Sequence, residues 1–76
     1  MVDAFILVKT AAGSSEGLLS AVRALEPVAS AHIVAGDYDL VVEATGPDVY
    51  DVLQVASSDI QQLDGVMDTK TYIALG

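Results

Sequence analysis

The apolar positions near the start of the chain form first a short continuous run and then a helical stripe. The run Ala4–Val8 contains β-branched and aromatic residues, which predicts a strand ending near Lys9-Thr10. Residues 13–16, Gly-Ser-Ser-Glu, then offer a hydroxyl N-cap and an early acid, both typical of a helix N-terminus. The apolar residues that follow at helical spacing are Leu18, Ala21, Val22 and Leu25. A first helix is therefore predicted, and Pro27 stops it.

A hairpin is predicted in the middle of the chain. His32–Ala35 forms the second strand, and the turn Gly36-Asp37-Tyr38-Asp39 follows it. Glycine tolerates a positive φ, and aspartate hydrogen-bonds nearby backbone, so both residue types favour a turn here. Leu40–Ala44 is the returning strand.

The last third of the chain predicts a helix and a strand. The helix starts at Thr45-Gly46-Pro47-Asp48, with proline at or near its first position, and Asp64-Gly65 ends it. Its apolar stripe comprises Val49, Val52, Leu53, Ala56, Ile60 and Leu63. Thr69–Leu75 then alternates as a final strand.

The resulting order, β-α-β-β-α-β, predicts a ferredoxin-like α+β fold for a single domain over residues 1–76. Two helices should cover one face of a four-stranded antiparallel sheet, and right-handed crossovers place the first and third strands in its centre.

The other face of this sheet is also predicted to be apolar. Phe5 and Leu7 lie on one face of the first strand while Ala4, Ile6 and Val8 lie on the opposite face. Because the helices cover one face only, the second face would expose more apolar surface than monomers usually carry. Packing of the sheet against a second copy in a two-fold dimer is the simplest prediction.

Length and composition support self-association. A chain of 76 residues is marginally stable as an isolated globule, and domains of this size are usually stabilised further by disulfides, bound metals or oligomerisation. The chain has no Cys and a single His, which excludes disulfides and makes a zinc site improbable. No cofactor and no metal are expected, and oligomerisation is the favoured source of additional stability.

The charge limits the partners. Three basic and 11 acidic residues give a formal net charge of −8, so direct binding to nucleic acid or to an anionic membrane is not expected. No segment suits a signal peptide or a membrane span, which predicts a cytoplasmic protein. Abundant Asp with scarce Lys is compatible with a halophilic archaeon as the source and equally with an ordinary acidic bacterial protein.

Two features could carry chemistry, and each has an ordinary structural interpretation. The turn with Asp37 and Asp39 could bind the two ends of an amino acid. An aspartate side chain would hold the ligand's ammonium group, and the backbone amides of the turn would hold the ligand's carboxylate. The alternative is an ordinary solvated turn. His32 could be a base in a small dimeric α+β-barrel enzyme, oriented by a nearby carboxylate such as Asp37 or Asp39, but an ordinary strand residue is the favoured interpretation. Residues 13–15 could hold an anion, although helix capping is the favoured role.

Three segments together resemble the effector-binding domain of the Lrp/AsnC family of transcriptional regulators. They are Phe5-Ile6-Leu7-Val8-Lys9, Val34-Ala35-Gly36-Asp37-Tyr38-Asp39-Leu40, and Leu63-Asp64-Gly65-Val66-Met67-Asp68-Thr69-Lys70-Thr71. The resemblance runs from about Ala4 to Leu75. It implies a stand-alone effector domain without the family's helix-turn-helix domain, in a homodimer that assembles further, with octamers of four dimers as one arrangement.

The resemblance also implies a function and a site. The function is binding of a small effector, usually an amino acid, and modulation of transcription through co-assembly with a full-length regulator. The site residues it implies are Gly36, Asp37, Tyr38, Asp39, Thr69, Thr71 and, where many members have an aromatic residue, His32. A ligand-free oligomerisation domain, the enzyme using His32, and a domain of the ACT type remain alternatives.

Overall fold

A computed structural model of the chain describes all of residues 1–76 and contains one four-stranded antiparallel sheet. The elements are β1 (Val2–Thr10), α1 (Ser15–Arg23), β2 (Val28–Ile33), β3 (Leu40–Gly46), α2 (Val49–Gln54), a π-helical segment (Val55–Ile60) and β4 (Val66–Ile73). The strand order is β2-β3-β1-β4, so the first and third strands lie in the centre. The predicted ferredoxin-like fold is confirmed.

The core lies between the helices and one face of the sheet. Ile6 and Val8 of β1 and Val42 of β3 are fully buried on that face, and Val22 and Ile60 cover them from the helical layer. These side chains alternate along each strand with residues on the opposite face, as the period of two requires. None of the helices is long and apolar enough to cross a bilayer.

Two strand boundaries differ from the sequence-based prediction. β2 is Val28–Ile33 rather than His32–Ala35, because pairing with β3 outweighs the weak strand propensity of its alanines and serine. β4 is Val66–Ile73 rather than Thr69–Leu75, since its pairing with β1 continues through an irregularity at Lys9/Thr10 as far as Val66. Both strands therefore begin earlier than predicted.

The second helix is not the continuous α-helix that the apolar stripe predicted. β3 extends through Gly46, and the helix begins at Val49 with Asp48 as its N-cap; the Asp51 backbone N–H donates to Asp48 Oδ1 at 3.2 Å. From Val55 the chain follows a π-helix, in which the Gln61 N–H donates to the Ala56 carbonyl. The wider turn lets Val55, Ala56 and Ile60 all reach the core, while Val49 and Leu53 of the predicted stripe are exposed.

The predicted hydroxyl cap of the first helix is also absent. Ser14 occupies the N-cap position but makes no side-chain capping hydrogen bond. The Ser15 hydroxyl instead lies 2.8 Å from the hydroxyl of Thr10, a buried residue at the end of β1. The side chain of Ser15 thus connects the helix to the sheet. The helix itself ends at Arg23, four residues before Pro27.

Gly65 in the turn before β4 is predicted to tolerate no side chain. Its φ is +96°, and a Cβ there would lie 3.0 Å from the Cβ and Oγ of Ser14. We expect Gly65→Ala to lower the free energy of unfolding by about 1–3 kcal/mol, because strain and crowding act together. The matched control is Gly17→Ala in α1, where a Cβ would meet nothing within 4 Å outside its own helix and the change should stabilise by about 0.5–1 kcal/mol. Urea melts at equal protein concentration compare the two, and equal stability of both variants would contradict the prediction.

The face of the sheet opposite the helices, here called the open face, is uncovered. Phe5 is 40% exposed and Tyr72 is 50% exposed, and they are neighbours in adjacent strands. Leu7 and Val41, also paired, are half-buried beside them. The open face is thus apolar at its centre, as the sequence predicted. Charged residues surround this centre: Glu43 lies beside Phe5 and Lys70 beside Leu7, and Asp3, Lys9 and Asp68 lie towards the ends of the strands.

Candidate functional site

The loop between β2 and β3 is held against the end of β1 by Asp39. Asp39 Oδ2 accepts hydrogen bonds from the Thr10 backbone N–H at 2.8 Å and from the Thr10 hydroxyl at 3.2 Å. The Asp39 N–H donates to the Val8 carbonyl at 2.9 Å, and the Asp39 carbonyl accepts from the Val34 N–H at 2.9 Å. Asp39 therefore sets the position of the loop relative to the sheet.

The rest of the loop forms one wall of a cleft on the open face. Gly36, Asp37 and Tyr38 line it on the loop side, and the cleft has a volume of about 370 Å³. The strands contribute its floor and far side through Leu7, Val34, Lys70 and Tyr72. Lys70 pairs with Leu7, and Tyr72 pairs with Phe5, so the sheet register places these side chains on the same face as the loop.

The cleft holds one negative and one positive side chain. The Asp37 side chain is exposed and makes no hydrogen bond to the protein, in contrast to that of Asp39. The Lys70 ammonium lies 5.7 Å from the centre of the Tyr72 ring. A hydrogen-bond interaction with the Tyr72 side chain raises the pKa of Lys70, and charge interactions with Tyr72, Tyr38 and Asp68 raise it further. Lys70 therefore stays protonated at neutral pH.

Thr69 and Thr71 lie on the opposite face of the sheet from this cleft. They pair with Val8 and Ile6, whose side chains are buried under the helices. Thr69 Oγ1 accepts a hydrogen bond from Gln61 Nε2 at 2.8 Å, which joins β4 to the end of the helical layer. Within one chain the structure does not bring the two threonines together with the loop residues.

His32 lies on the open face, in β2 near the sheet edge. It pairs with Val41, which in turn pairs with Leu7, so one strand separates it from the floor of the cleft. Its ring is exposed and makes no hydrogen bond within the chain. No carboxylate orients it, although the catalytic interpretation invoked Asp37 or Asp39 for that purpose.

A second cleft of similar size, about 390 Å³, lies at the other end of the molecule. Its lining includes the acids Glu26, Asp51 and Asp59, together with the loop that follows β3. No group of three or more His, Cys, Asp or Glu side chains is arranged to hold a metal ion. Because this second cleft contains no cation, it does not offer opposite charges to one ligand.

Sequence reasoning missed the strand side of the open-face cleft. The motifs contain Lys70 without giving it a role, and the alternation of the last strand indicates only packing for Tyr72. The signal that could have identified Lys70 is its place in β4: it alternates with Thr69 and Thr71 and so lies on the face opposite to theirs. That Lys70 pairs with Leu7 is known only from the observed strand register, because the predicted strand began at Thr69 and not at Val66.

The chain folds as a ferredoxin-like α+β domain with a cleft of small-molecule size on its sheet. The chain matches the family model "Lrp/AsnC ligand binding domain" over residues 3–76. The protein therefore belongs to the Lrp/AsnC family, as its motifs indicated.

Individual relatives agree with this assignment. The leucine-responsive regulatory protein of Klebsiella pneumoniae is 34% identical over 56 residues, which is 74% of this chain and 34% of the relative. The chain thus spans about a third of the length of the curated relatives it matches. TTHA0845 from Thermus thermophilus has a TM-score of 0.95 at 33% identity, covering 100% of this chain and 95% of that one.

A more distant structure shares the fold alone. The transcriptional regulator NMB0573 from Neisseria meningitidis, solved as a complex with L-Met, has a TM-score of 0.86 at 22% identity. The match covers 99% of this chain and 50% of the regulator.

Proposed function

We propose that this protein is an effector-binding module of transcription regulation that binds a free amino acid in the open-face cleft. The observation that carries the proposal is the pairing of an unengaged carboxylate, Asp37, with an ammonium group, Lys70, in one cleft of about 370 Å³. Sites for small ligands have volumes of about 300–1,000 Å³ and a few polar groups that fix the orientation.

The two charges complement the two ends of an α-amino acid. Asp37 would accept hydrogen bonds from the ammonium group, and Lys70 would donate to the carboxylate. Leu7, Val34 and the ring of Tyr72 supply an apolar wall for the side chain. Two relatives support this choice of ligand class: one is named leucine-responsive, and the other was solved with L-Met bound.

The roles of the remaining predicted residues differ in this proposal. Gly36 and Tyr38 contact the ligand, and Asp39 positions the loop. Thr69, Thr71 and His32 lie outside the cleft of one chain, so any contact they make with an effector would require a further subunit. Such a contact fits a module that binds its effector within a larger assembly.

In the regulatory mechanism that we propose, the effector shifts the populations of assemblies. The module forms dimers and higher oligomers, an octamer of four dimers being one form, and co-assembles with a full-length regulator. An effector that binds one assembly more tightly than another shifts the equilibrium only by that difference in affinity. The acidic module itself makes no DNA contact, so it acts on transcription through its partner.

The first test is a ligand screen with matched variants. We expect at least one L-amino acid, with L-leucine and L-methionine as first probes, to raise the melting temperature and to give a calorimetric Kd. Asp37→Asn and Lys70→Gln should each weaken that Kd about tenfold or more, because each removes a charge-assisted hydrogen bond.

The controls change equivalent charges that do not line the cleft. Asp68→Asn and Lys9→Gln lie on the same face and should change the Kd less than twofold. No response to any of the twenty amino acids would overturn the proposed ligand class. It would favour the second candidate function, a ligand-free assembly domain, which the uncovered apolar centre of the open face also supports.

A further inference from the structure

One side of α2 presents apolar side chains to solvent. Val49 is 43% exposed, Tyr50 is 84% exposed and Leu53 is 40% exposed. Leu53 follows Val49 by four residues and Tyr50 by three, and such positions are neighbours on a helix surface. These three residues are here called the α2 strip. Val52 and Val55 already anchor this part of the chain in the core, so the strip is apolar surface beyond what the packing of the helix requires.

The α2 strip is continuous with the second cleft. Gln54 lines that cleft and lies one helical turn after Tyr50, so it joins the two. Asp51 lines the cleft from the same helix, and Glu26 and Asp59 add two further carboxylates to a volume of about 390 Å³. An apolar strip and an acid-lined recess therefore lie side by side on the helical layer.

The helical layer contains no free cation that could neutralise this recess. Residues 11–27 and 47–65, which form the layer and its loops, contain six acidic residues and one basic residue. The acidic residues are Glu16, Glu26, Asp48, Asp51, Asp59 and Asp64. The basic residue is Arg23, whose Nε and Nη2 donate to the Ala31 carbonyl at 3.1 and 2.8 Å. Arg23 is thus engaged at β2, and the lining of the cleft includes no Lys or Arg.

The strip and the cleft together specify the chemistry of a partner. Carboxylates attract cations, and the apolar strip gains free energy only when apolar side chains cover it. A small cation would leave the strip uncovered, and a neutral protein surface would leave the carboxylates without partners. A second copy of the chain would bring a net charge of −8 against acids of the same sign. A polypeptide segment that has basic residues beside apolar ones satisfies both features.

We propose that this surface docks a basic amphipathic segment of another protein, with its cations in the second cleft and its apolar side chains on the α2 strip. Arginine suits the cleft best, because its guanidinium forms paired hydrogen bonds with carboxylates and stacks on aromatic rings such as that of Tyr50. Exposed tyrosines are enriched at protein interfaces for a similar reason. The inference goes beyond the proposed function, since it uses the helical layer and does not depend on the open-face cleft or its effector.

The first test compares two labelled peptides with the whole chain as the binding partner. One peptide of about 18 residues, about 27 Å long as a helix, has leucine on one face and arginine on the other. The second contains the same residues in an order that distributes leucine evenly around the helix. In fluorescence anisotropy at about 0.15 M salt, we expect the amphipathic peptide to have a Kd at least tenfold lower. Equal Kd values would overturn the proposal, because net charge alone would then explain the binding.

Two double variants test the two parts of the surface. Tyr50→Ser with Leu53→Ser removes the strip without changing the net charge, and Asp51→Asn with Asp59→Asn removes two carboxylates from the cleft. We expect each pair to raise the Kd of the amphipathic peptide about tenfold. The second pair should also reduce the dependence of the Kd on salt. Circular dichroism spectra verify that each variant is folded.

The controls make matched changes elsewhere on the molecule. Glu16→Gln with Asp64→Asn removes the same charge at exposed positions towards the opposite end of the helical layer. Ile33→Ser with Met67→Ser removes exposed apolar side chains from β2 and β4. Each control pair should change the Kd less than twofold. If a control pair weakens binding as much as the matching test pair, the peptide does not recognise this surface and the proposal is wrong.

Two further variants separate this proposal from the amino-acid site and from the open face. All titrations are made without amino acids, and Asp37→Asn, which alters the proposed effector site, should leave the Kd of the peptide unchanged. Either proposal can therefore fail while the other stands. Tyr72→Ser tests whether the peptide instead covers the apolar centre of the open face. Loss of binding in Tyr72→Ser, with binding retained when the α2 strip is removed, would overturn the proposal.

Discussion

Ile6→Ala is expected to lower the free energy of unfolding by about 2–5 kcal/mol, the largest effect that we expect from any single substitution in this chain. Ile6 is fully buried in the central strand β1, between Val42 on β3 and Thr71 on β4. Truncation removes apolar contacts and leaves a cavity that a close-packed sheet cannot fill by local movement. Because small domains have only about 5–15 kcal/mol of stability, the variant should be close to unfolding at room temperature.

Leu7→Ala is the matched control for this change. Leu7 is the next residue along β1, but its side chain is on the open face and is only half-buried. We expect Leu7→Ala to cost the monomer less than about 1.5 kcal/mol and instead to weaken self-association, since large-to-small changes cost least where a site is incompletely packed. Urea melts and sedimentation at several protein concentrations separate the two effects. An equal loss of monomer stability in both variants would contradict the assignment of the two faces.

Asp39→Ala is expected to lower the free energy of unfolding by about 1–3 kcal/mol, because it leaves the backbone N–H of the buried Thr10 without its acceptor. The Thr10 hydroxyl loses one of its two partners at the same time and retains Ser15. The loop is then held to β1 only by the backbone bond from the Asp39 N–H to the Val8 carbonyl.

Asp37→Ala, two residues earlier in the same loop, is the matched control. Its carboxylate is exposed and engages no protein donor, so the free energy of unfolding should change by less than about 0.5 kcal/mol. Under the proposed function, the affinity for the amino acid should fall at least tenfold in Asp37→Ala. Asp39→Ala should show accelerated hydrogen exchange at the Thr10 amide. A stable Asp39→Ala variant with a protected Thr10 amide would show that the loop does not depend on this carboxylate.

The sequence motif correctly located the loop but did not distinguish its two aspartates. In the turn Gly36–Asp39, both carboxylates had the same candidate role, because a turn pattern contains no information on what lies across from it. The distinction depends on Thr10, which is 29 residues away from Asp39 along the chain. Only the packing of the loop against the end of β1 makes Asp39 a structural acceptor and leaves Asp37 unengaged.

The second helix shows a different limit of sequence reasoning. Its stripe had helical spacing and predicted that Leu53 would be buried, yet Leu53 is 40% exposed and Val55 is buried. Helical spacing shows which residues share a stripe but not which side of the helix the sheet covers, and beyond Gln54 the π-helical segment Val55–Ile60 also changes the number of residues per turn. The shift arises from fitting Val55, Ala56 and Ile60 against the sheet, which is a tertiary requirement.

The sequence by itself determined the order of elements, the apolar character of both faces of the sheet, and membership of the Lrp/AsnC family. These conclusions follow from local periodicity, turn chemistry and motif spacing, all of which can be read within short segments of the sequence. The tertiary structure alone decided that Lys70 and Asp37 share one cleft and that Thr69 and Thr71 face away from it. Each of these depends on strand register, and a register is defined only when distant segments pair.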